Sequence, residues 1–175
     1  MKHLILTTIA LTSLLATTAF AGPIHDAIMN RNIKGVQAAL DNGADVNAKL
    51  WGYTPLHFAA QIGDPTLFTL LISNGADVNA TDDEDYTPMH FVAEAGHSNL
   101  VKTLIDNGAN VNAKNEFGDT PLDITVDEGN DETADVLRKH GGKAGKDVNA
   151  VPKFMTQPES LEIAKTTSSV TLTAE

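Results

Sequence analysis

The chain has 175 residues, and 12 Lys or Arg against 23 Asp or Glu give it a formal net charge of −11. This length leaves room for one domain with short appendages, and the acidic balance argues against nucleic-acid binding because a phosphate backbone would be repelled. The absence of cysteine excludes disulfides, thiol catalysis and cysteine-based metal sites.

The first 21 residues have the pattern of a cleaved export signal. A short basic start, Lys2-His3, precedes an apolar run over residues 4–15 that only threonine and serine interrupt. Ala19-Phe20-Ala21 then places small residues at both recognition positions of a signal-peptidase site. The apolar run is too short and too rich in hydroxyls to span a bilayer. We therefore expect cleavage after Ala21, no stable membrane insertion afterwards, and a periplasmic or secreted location of the bacterial type.

The segment that follows the leader repeats itself at a fixed interval. The sequence Asn-Gly-Ala-Asp-Val-Asn-Ala at 42–48 recurs at 74–80 and, with one Asp-to-Asn change, at 107–113. Three Thr-Pro pairs, beginning at Thr54, Thr87 and Thr120, are spaced 33 residues apart. A period of this length predicts a stacked array of repeats.

Each repeat carries start and stop signals for two short helices. Thr54 is suited to an N-cap with Pro55 at the first helical position, and Gly63 is suited to end that helix. Asp64-Pro65 predicts the start of a second helix, whose apolar residues have helical spacing. The same signals recur in the next unit at Thr87-Pro88, Gly96 and His97-Ser98.

A 33-residue unit of helix, turn, helix and hairpin loop that carries Thr-Pro-Leu-His resembles the ankyrin repeat. The resemblance covers residues 22–143, divided at about 22–52, 53–85, 86–118 and 119–143, and it implies an all-α solenoid of about four helix-turn-helix repeats. The first repeat lacks its hairpin. The last departs from the pattern, because Asp123 replaces the histidine and Arg138-Lys139-His140 ends its second helix, which suits a capping repeat.

Three histidines occupy the same position of successive repeats, at His25, His57 and His90. Adjacent repeats are about 10 Å apart, which is too far for ligands of one metal ion with bonds near ~2 Å. The resemblance implies instead that these histidines bond to the backbone of neighbouring loops. Since no nucleophile elbow or phosphate-binding loop is present either, we expect no enzyme activity and no cofactor.

The acidic run at Asp82-Asp83-Glu84-Asp85 has three interpretations. A calcium site would need the alternating ligands and glycine of an EF-hand loop, which this run lacks. A solvated charge run and an acidic contact surface for a partner both remain open. Asp85 also stands where the family usually has glycine, so this hairpin tip is expected to be strained or altered.

Ankyrin repeats bind partners mainly through hairpin tips and the concave surface of the first helices. Matching those positions in this chain predicts fourteen partner-binding residues: Leu50, Trp51, Tyr53, Gln61, Ile62, Asp83, Glu84, Tyr86, Glu94, Glu116, Phe117, Asp119, Asp127 and Glu128. Carboxylates and aromatic rings together favour a basic protein partner. Trp51, the only tryptophan, lies in a tip one residue shorter than the others. It is predicted either to be a binding hot spot or to fold back over the first repeat.

Residues 144–175 form a separate tail. Alternating apolar residues and a Gln-Pro-Glu-Ser segment resemble the first strands of an immunoglobulin-like domain, although a complete sandwich needs about seven strands. The tail is therefore interpreted as disordered, as the stub of a truncated multidomain protein, or as a strand that pairs with another sheet edge.

The sequence thus predicts a monomeric module for protein–protein interaction that binds no nucleic acid. One alternative is a structural or surface-adhesion spacer within a larger exported protein. Another is chaperone-like protection of a periplasmic protein.

Overall fold

The computed structural model describes residues 22–145, so the predicted leader (1–21) and residues 146–175 of the predicted tail lie outside the described residues. The described part contains eight helices: α1 Pro23–Met29, α2 Ile33–Asp41, α3 Pro55–Ile62, α4 Pro65–Ser73, α5 Pro88–Ala95, α6 Ser98–Asp106, α7 Pro121–Glu128 and α8 Asp131–Lys139. Between residues 22 and 145 the only β-type pairing is an isolated bridge from Leu50 to Tyr53. The predicted all-α repeat solenoid is confirmed.

The helices form two layers. The inner helices α1, α3, α5 and α7 pack on one another in chain order, and the outer helices α2, α4, α6 and α8 do the same. Each inner helix also packs against the outer helix of its own repeat. Fully buried side chains such as Leu56, Phe68, Phe91, Leu104 and Leu137 fill the space between the layers. Helices this short are marginal alone, so stacking of the repeats stabilises them.

Each inner helix except α1 begins with the predicted Thr-Pro pair, and the third residue of the helix completes the cap. The imidazole Nδ1 of His57 accepts a hydrogen bond from the backbone N–H of Thr54 at 3.1 Å, and His90 does the same for Thr87 at 3.0 Å. In the last repeat Asp123 takes over this role, because its Oδ2 accepts from the backbone N–H of Thr120 at 2.8 Å. The departure of the fourth repeat from the histidine pattern therefore keeps the cap.

The junction between inner and outer helices differs from the sequence-based expectation in one respect. Gly63 and Gly96 end α3 and α5 in the left-handed conformation, as predicted, with φ of 76° and 74°. His97 precedes α6, but its side chain does not cap that helix. Its Nε2 instead lies 3.2 Å from the backbone oxygen of Gln61 in the preceding repeat, so the ring covers Gly63. Asn130 covers Gly96 in the same way and donates to the carbonyl of Ala93.

A second polar connection joins the loops of successive repeats. Asn79 donates from Nδ2 to the carbonyl of Gly108 at 2.9 Å, and its Oδ1 accepts from the backbone N–H of Asn110 at 2.8 Å. Asn47 and Asn112 make the equivalent pair of bonds to the loop that follows each of them. The last asparagine of the repeated motif is therefore a connector between repeats.

The C-terminal end of the array has the predicted charge distribution. Arg138 and Lys139 lie in the last turn of α8, where they complement the partial negative charge of a helix C-terminus. None of the helices between residues 22 and 145 is long and apolar enough to cross a bilayer.

Candidate protein-binding surface

The three hairpin loops define a row along one edge of the array. We name them tip 1 (residues 49–52), tip 2 (81–85) and tip 3 (114–118). Tips 2 and 3 are joined directly, since the backbone N–H of Glu116 donates to the carbonyl of Glu84 at 3.0 Å. Tip 1 approaches tip 2 at Gly52, where a Cβ atom would lie 2.8 Å from Oδ2 of Asp83.

Tips 2 and 3 are shaped by a polar side chain at their second position. Oδ1 of Asp82 accepts from the backbone N–H groups of Glu84 at 3.0 Å and Tyr86 at 2.8 Å. Asn115 makes the same pair of bonds in tip 3. Asp82 is buried and its carboxylate shapes the turn, whereas Asp83 and Asp85 are exposed. The acidic run therefore divides into one structural residue and a solvent-facing part.

Asp85 has the backbone conformation that its position predicts. Its φ is 61°, in the left-handed region that favours glycine, and Gly118 has a φ of 80° at the same position of tip 3. Across residues 22–145, no group of three or more His, Asp or Glu side chains is arranged to hold a metal ion.

Tip 1 is one residue shorter than tips 2 and 3 and forms a different type of turn. The backbone N–H of Tyr53 donates to the carbonyl of Leu50 at 3.0 Å, and Leu50 donates back to Tyr53 at 2.9 Å. Both central residues have positive φ, 53° at Trp51 and 85° at Gly52, as a type I′ turn requires. Trp51 is 51% exposed, whereas Leu50 is only 8% exposed. The indole thus lies at the surface, and Leu50 is the residue that tip 1 buries.

The predicted set needs correction at three residues. Leu50 and Tyr86 are each 8% exposed and Asp119 is 7% exposed, so their side chains face inward. The physical reason is their place at the base of a hairpin: Leu50 lies where the chain enters tip 1, and Tyr86 and Asp119 lie where it leaves tips 2 and 3 for the next inner helix. Of the other predicted residues, Tyr53, Gln61, Ile62, Glu84 and Glu94 are partly exposed, and Trp51, Asp83, Glu116, Phe117, Asp127 and Glu128 are exposed.

The structure brings two tyrosines and two carboxylates together between tip 2 and the inner helices. Burial raises the pKa of the Tyr53 hydroxyl, and the charges of Glu84 and Glu94 are among those that raise it further. Burial also raises the pKa of Tyr86, on which the same two carboxylates act. The partly exposed ring of Tyr53 therefore lies in a negative potential.

The aromatic rings here are held by edge-on packing. The ring of Tyr53 lies 5.6 Å from that of Phe91 and 5.9 Å from that of Phe58. Such pairs contribute about 0.5–1.5 kcal/mol beyond their buried area. These two contacts hold the ring of Tyr53 in place on the concave surface.

The histidine row connects repeats as the family resemblance implied. Nε2 of His25, His57 and His90 lies 3.1, 3.0 and 3.2 Å from the backbone oxygens of Ala48, Tyr86 and Asp119. Burial lowers the pKa of His57 and of His90 to about 4. These residues support the surface and are not part of it.

Val126 on α7 is an apolar residue that the sequence did not predict to be at the surface, and it is 57% exposed. Its repeat equivalents Ala60 and Ala93 are fully buried because a following inner helix covers them. The structure describes no inner helix after α7. The position of Val126 in the fourth repeat is the feature of the sequence that could have predicted its exposure.

Comparisons with known proteins agree with the repeat architecture. Family models described as "Ankyrin repeats (3 copies)" and "Ankyrin repeats (many copies)" match residues 56–151 and 24–72. The chain is 39% identical over 62 residues to human protein phosphatase 1 regulatory subunit 27, covering 35% of this chain and 40% of that protein. It is 45% identical over 53 residues to mouse 2-5A-dependent ribonuclease, covering 29% of this chain and 7% of that protein. The matches thus span less than half of each relative.

Proposed function

The chain belongs to the ankyrin-repeat family, and on this premise we propose that it binds a protein partner through tips 1 to 3 and the concave surface of α3, α5 and α7, without catalysis of its own. Solenoids of stacked repeats present extended concave surfaces for binding. The regulatory subunit among its relatives supports a non-catalytic role, although that match covers only part of each protein.

The observation that carries this proposal is the placement of exposed aromatic side chains. Trp51 in tip 1 and Phe117 in tip 3 are 51% and 59% exposed. Large aromatic side chains at a protein surface are typical energetic centres of interfaces. A folded monomer gains nothing from exposing both at its loop tips, whereas an interface would bury them.

The charges of the same row support a basic partner. Asp83, Glu84, Asp85 and Glu116 lie in the tips, and Lys49 and Lys114 are the cations there. A negative row of this kind accelerates association with a positively charged surface and disfavours acidic partners. Salt is therefore expected to weaken binding mainly through the association rate.

We also propose export, with removal of residues 1–21. The proposal is supported by the basic start, the apolar run and the Ala19-Phe20-Ala21 sequence. It predicts that Gly22, the N-cap residue of α1, is the first residue of the mature protein. N-terminal sequencing of protein recovered from the native compartment tests this.

Capture from native extract tests the binding proposal. The double substitution Trp51→Ala with Glu84→Lys removes the exposed indole and reverses a tip charge, so partners bound by the wild-type protein should be lost. The matched control, Thr69→Ala with Asp41→Lys, makes the same charge change on exposed residues of the outer helices and should retain them. Equal recovery with both variants would contradict the assigned surface.

A further inference from the structure

We propose that Trp51 and Asp83 form a recognition site for an arginine side chain of the protein partner. The inference rests on the proposed function and specifies which partner group the tip row binds. The two residues belong to adjacent repeats, so the site exists only when tips 1 and 2 are stacked.

The indole of Trp51 is presented by a rigid turn. Two backbone hydrogen bonds between Leu50 and Tyr53 close the turn, and the side chain of Leu50 is buried beneath it. The ring contacts observed between residues 22 and 145 join histidine, tyrosine and phenylalanine, and none involves Trp51. About half of the Trp51 residue is exposed, at 51%, so the indole is accessible to a ligand.

The carboxylate of Asp83 lies against the same turn. Its Cγ, Oδ1 and Oδ2 atoms are 2.9, 3.1 and 2.8 Å from the position that a Cβ on Gly52 would occupy. Gly52 directly follows Trp51, so its missing side chain is what lets the carboxylate approach tip 1. Asp83 is itself exposed and can accept hydrogen bonds from outside the protein.

Trp51 precedes Gly52 in the turn and the Asp83 carboxylate lies against Gly52, and an aromatic ring and a carboxylate placed around one turn suit a guanidinium group better than other side chains. The planar guanidinium stacks on an indole while its N–H groups donate to a carboxylate. A lysine ammonium supplies charge without the plane. Glu84 follows Asp83 in tip 2 and adds negative potential. The cation nearest to Trp51 in the sequence is Lys49, two residues before it.

Tip 3 does not repeat the arrangement. Phe117 is also exposed, but the structure describes no further tip beyond it that could place a carboxylate beside its ring. Within residues 22–145, tips 1 and 2 are therefore the pair that places a carboxylate against the turn of an exposed aromatic residue.

Fluorescence of Trp51, the only tryptophan, tests the site with the full chain. The probes are Gly/Ser peptides that differ only in a central arginine, lysine or citrulline, the last being a neutral analogue of arginine. The arginine peptide should give a saturable change. Binding should weaken about tenfold with citrulline and severalfold with lysine, because the first loses the charge and the second the planar fork.

Two matched substitutions locate the carboxylate. Asp83→Asn should weaken binding of the arginine peptide by about fivefold or more, since it removes a charge-assisted hydrogen bond. Asp85→Asn makes the same charge change two residues away and should shift affinity less than about twofold. A Trp51→Leu variant has no tryptophan fluorescence, so its binding is measured by NMR from the amide signal of Gly52. This signal should not shift when the arginine peptide is added.

The outcomes separate the site from the wider proposal. Equal affinity for arginine and citrulline peptides, equal weakening by both aspartate substitutions, or no saturable change in the wild type would each overturn the arginine site. If partner capture from native extract still depended on Trp51 and Glu84 in any of these cases, the proposed function would stand while this inference failed.

Discussion

His57 in the second repeat is joined to Tyr86 in the third by a hydrogen bond of 3.0 Å between Nε2 and the backbone oxygen. Because Nδ1 of His57 accepts from the backbone N–H of Thr54, Nδ1 has no proton and Nε2 carries it. The neutral ring thus caps its own helix on one side and holds the next hairpin on the other. Protonation of Nδ1 would remove the cap.

This arrangement predicts loss of stability in mild acid. Burial lowers the pKa of His57 and His90 from 6.5 to about 4, so between these values the unfolded chain binds more protons than the folded one. The free energy of unfolding should be highest above about pH 6.5 and fall as the pH drops towards 4. The loss is on the order of 3 kcal/mol for each histidine, and urea titrations from pH 7.5 to 4 measure it.

Two variants identify histidine as the source of this slope. His57→Gln removes one titrating group, so its stability should depend less on pH in that range than the wild type does. Leu71→Val destabilises the fully buried core without removing a proton-binding site and should keep the wild-type slope. A His57→Gln slope equal to that of the wild type would show that His57 does not contribute to the acid sensitivity.

Asp85 is predicted to store backbone strain. It has a left-handed φ where the equivalent residue of tip 3 is Gly118, and a Cβ at Gly118 would meet no atom within 4 Å. Asp85→Gly should therefore stabilise the protein by about 0.5–1 kcal/mol, and Gly118→Asp should destabilise it by a similar amount. Thermal unfolding of both variants checks the opposite signs, and a shift of the same sign in both would contradict the strain.

Gly63 and Gly129 offer a second matched pair, since both end inner helices with positive φ. A Cβ on Gly63 would overlap the imidazole of His97, whereas one on Gly129 would meet nothing within 4 Å. Gly129→Ala should cost about 1 kcal/mol, the ordinary penalty of that conformation, and Gly63→Ala clearly more. In a His97→Ala background the cost of Gly63→Ala should fall towards that of Gly129→Ala, as a double-mutant cycle would show.

The asparagine connectors predict coupling between repeats. Asn79→Ala removes two hydrogen bonds to the next loop and should cost about 1–2 kcal/mol. Asn99, exposed on α6, is the control, and Asn99→Ala should stay within about 0.5 kcal/mol. Equal unfolding midpoints in urea for the two variants would show that the connector does not contribute to stability.

Local signals predicted the array well because they act within a few residues. The Thr54-Pro55 start and the Gly63 stop each depend on a helix end and its immediate neighbours, so spacing was enough to place α3. The glycine position taken by Asp85 likewise predicted its unusual φ.

The parts that sequence reasoning missed depend on neighbouring repeats. Repeat position placed Tyr86 and Asp119 on the surface, but only packing of the adjacent repeat shows that their side chains are buried. The role of Asn79 as a connector and the place of His97 over Gly63 also need coordinates from two repeats. The left-handed φ of Trp51 follows from the length of tip 1. The sequence shows that tip 1 is one residue shorter than the other tips, but this length alone did not predict the turn type.

Site-specific photo-crosslinking in the native compartment tests the central claim most directly. A photoreactive residue at Phe117 samples the tip row, and one at Lys102, exposed on an outer helix, samples the opposite layer. We predict discrete protein adducts from position 117 that are reduced in a Trp51→Ala with Glu84→Lys background, and none from position 102. Adducts that are equal at both positions, or absent at 117, would contradict binding of a protein partner through the tips.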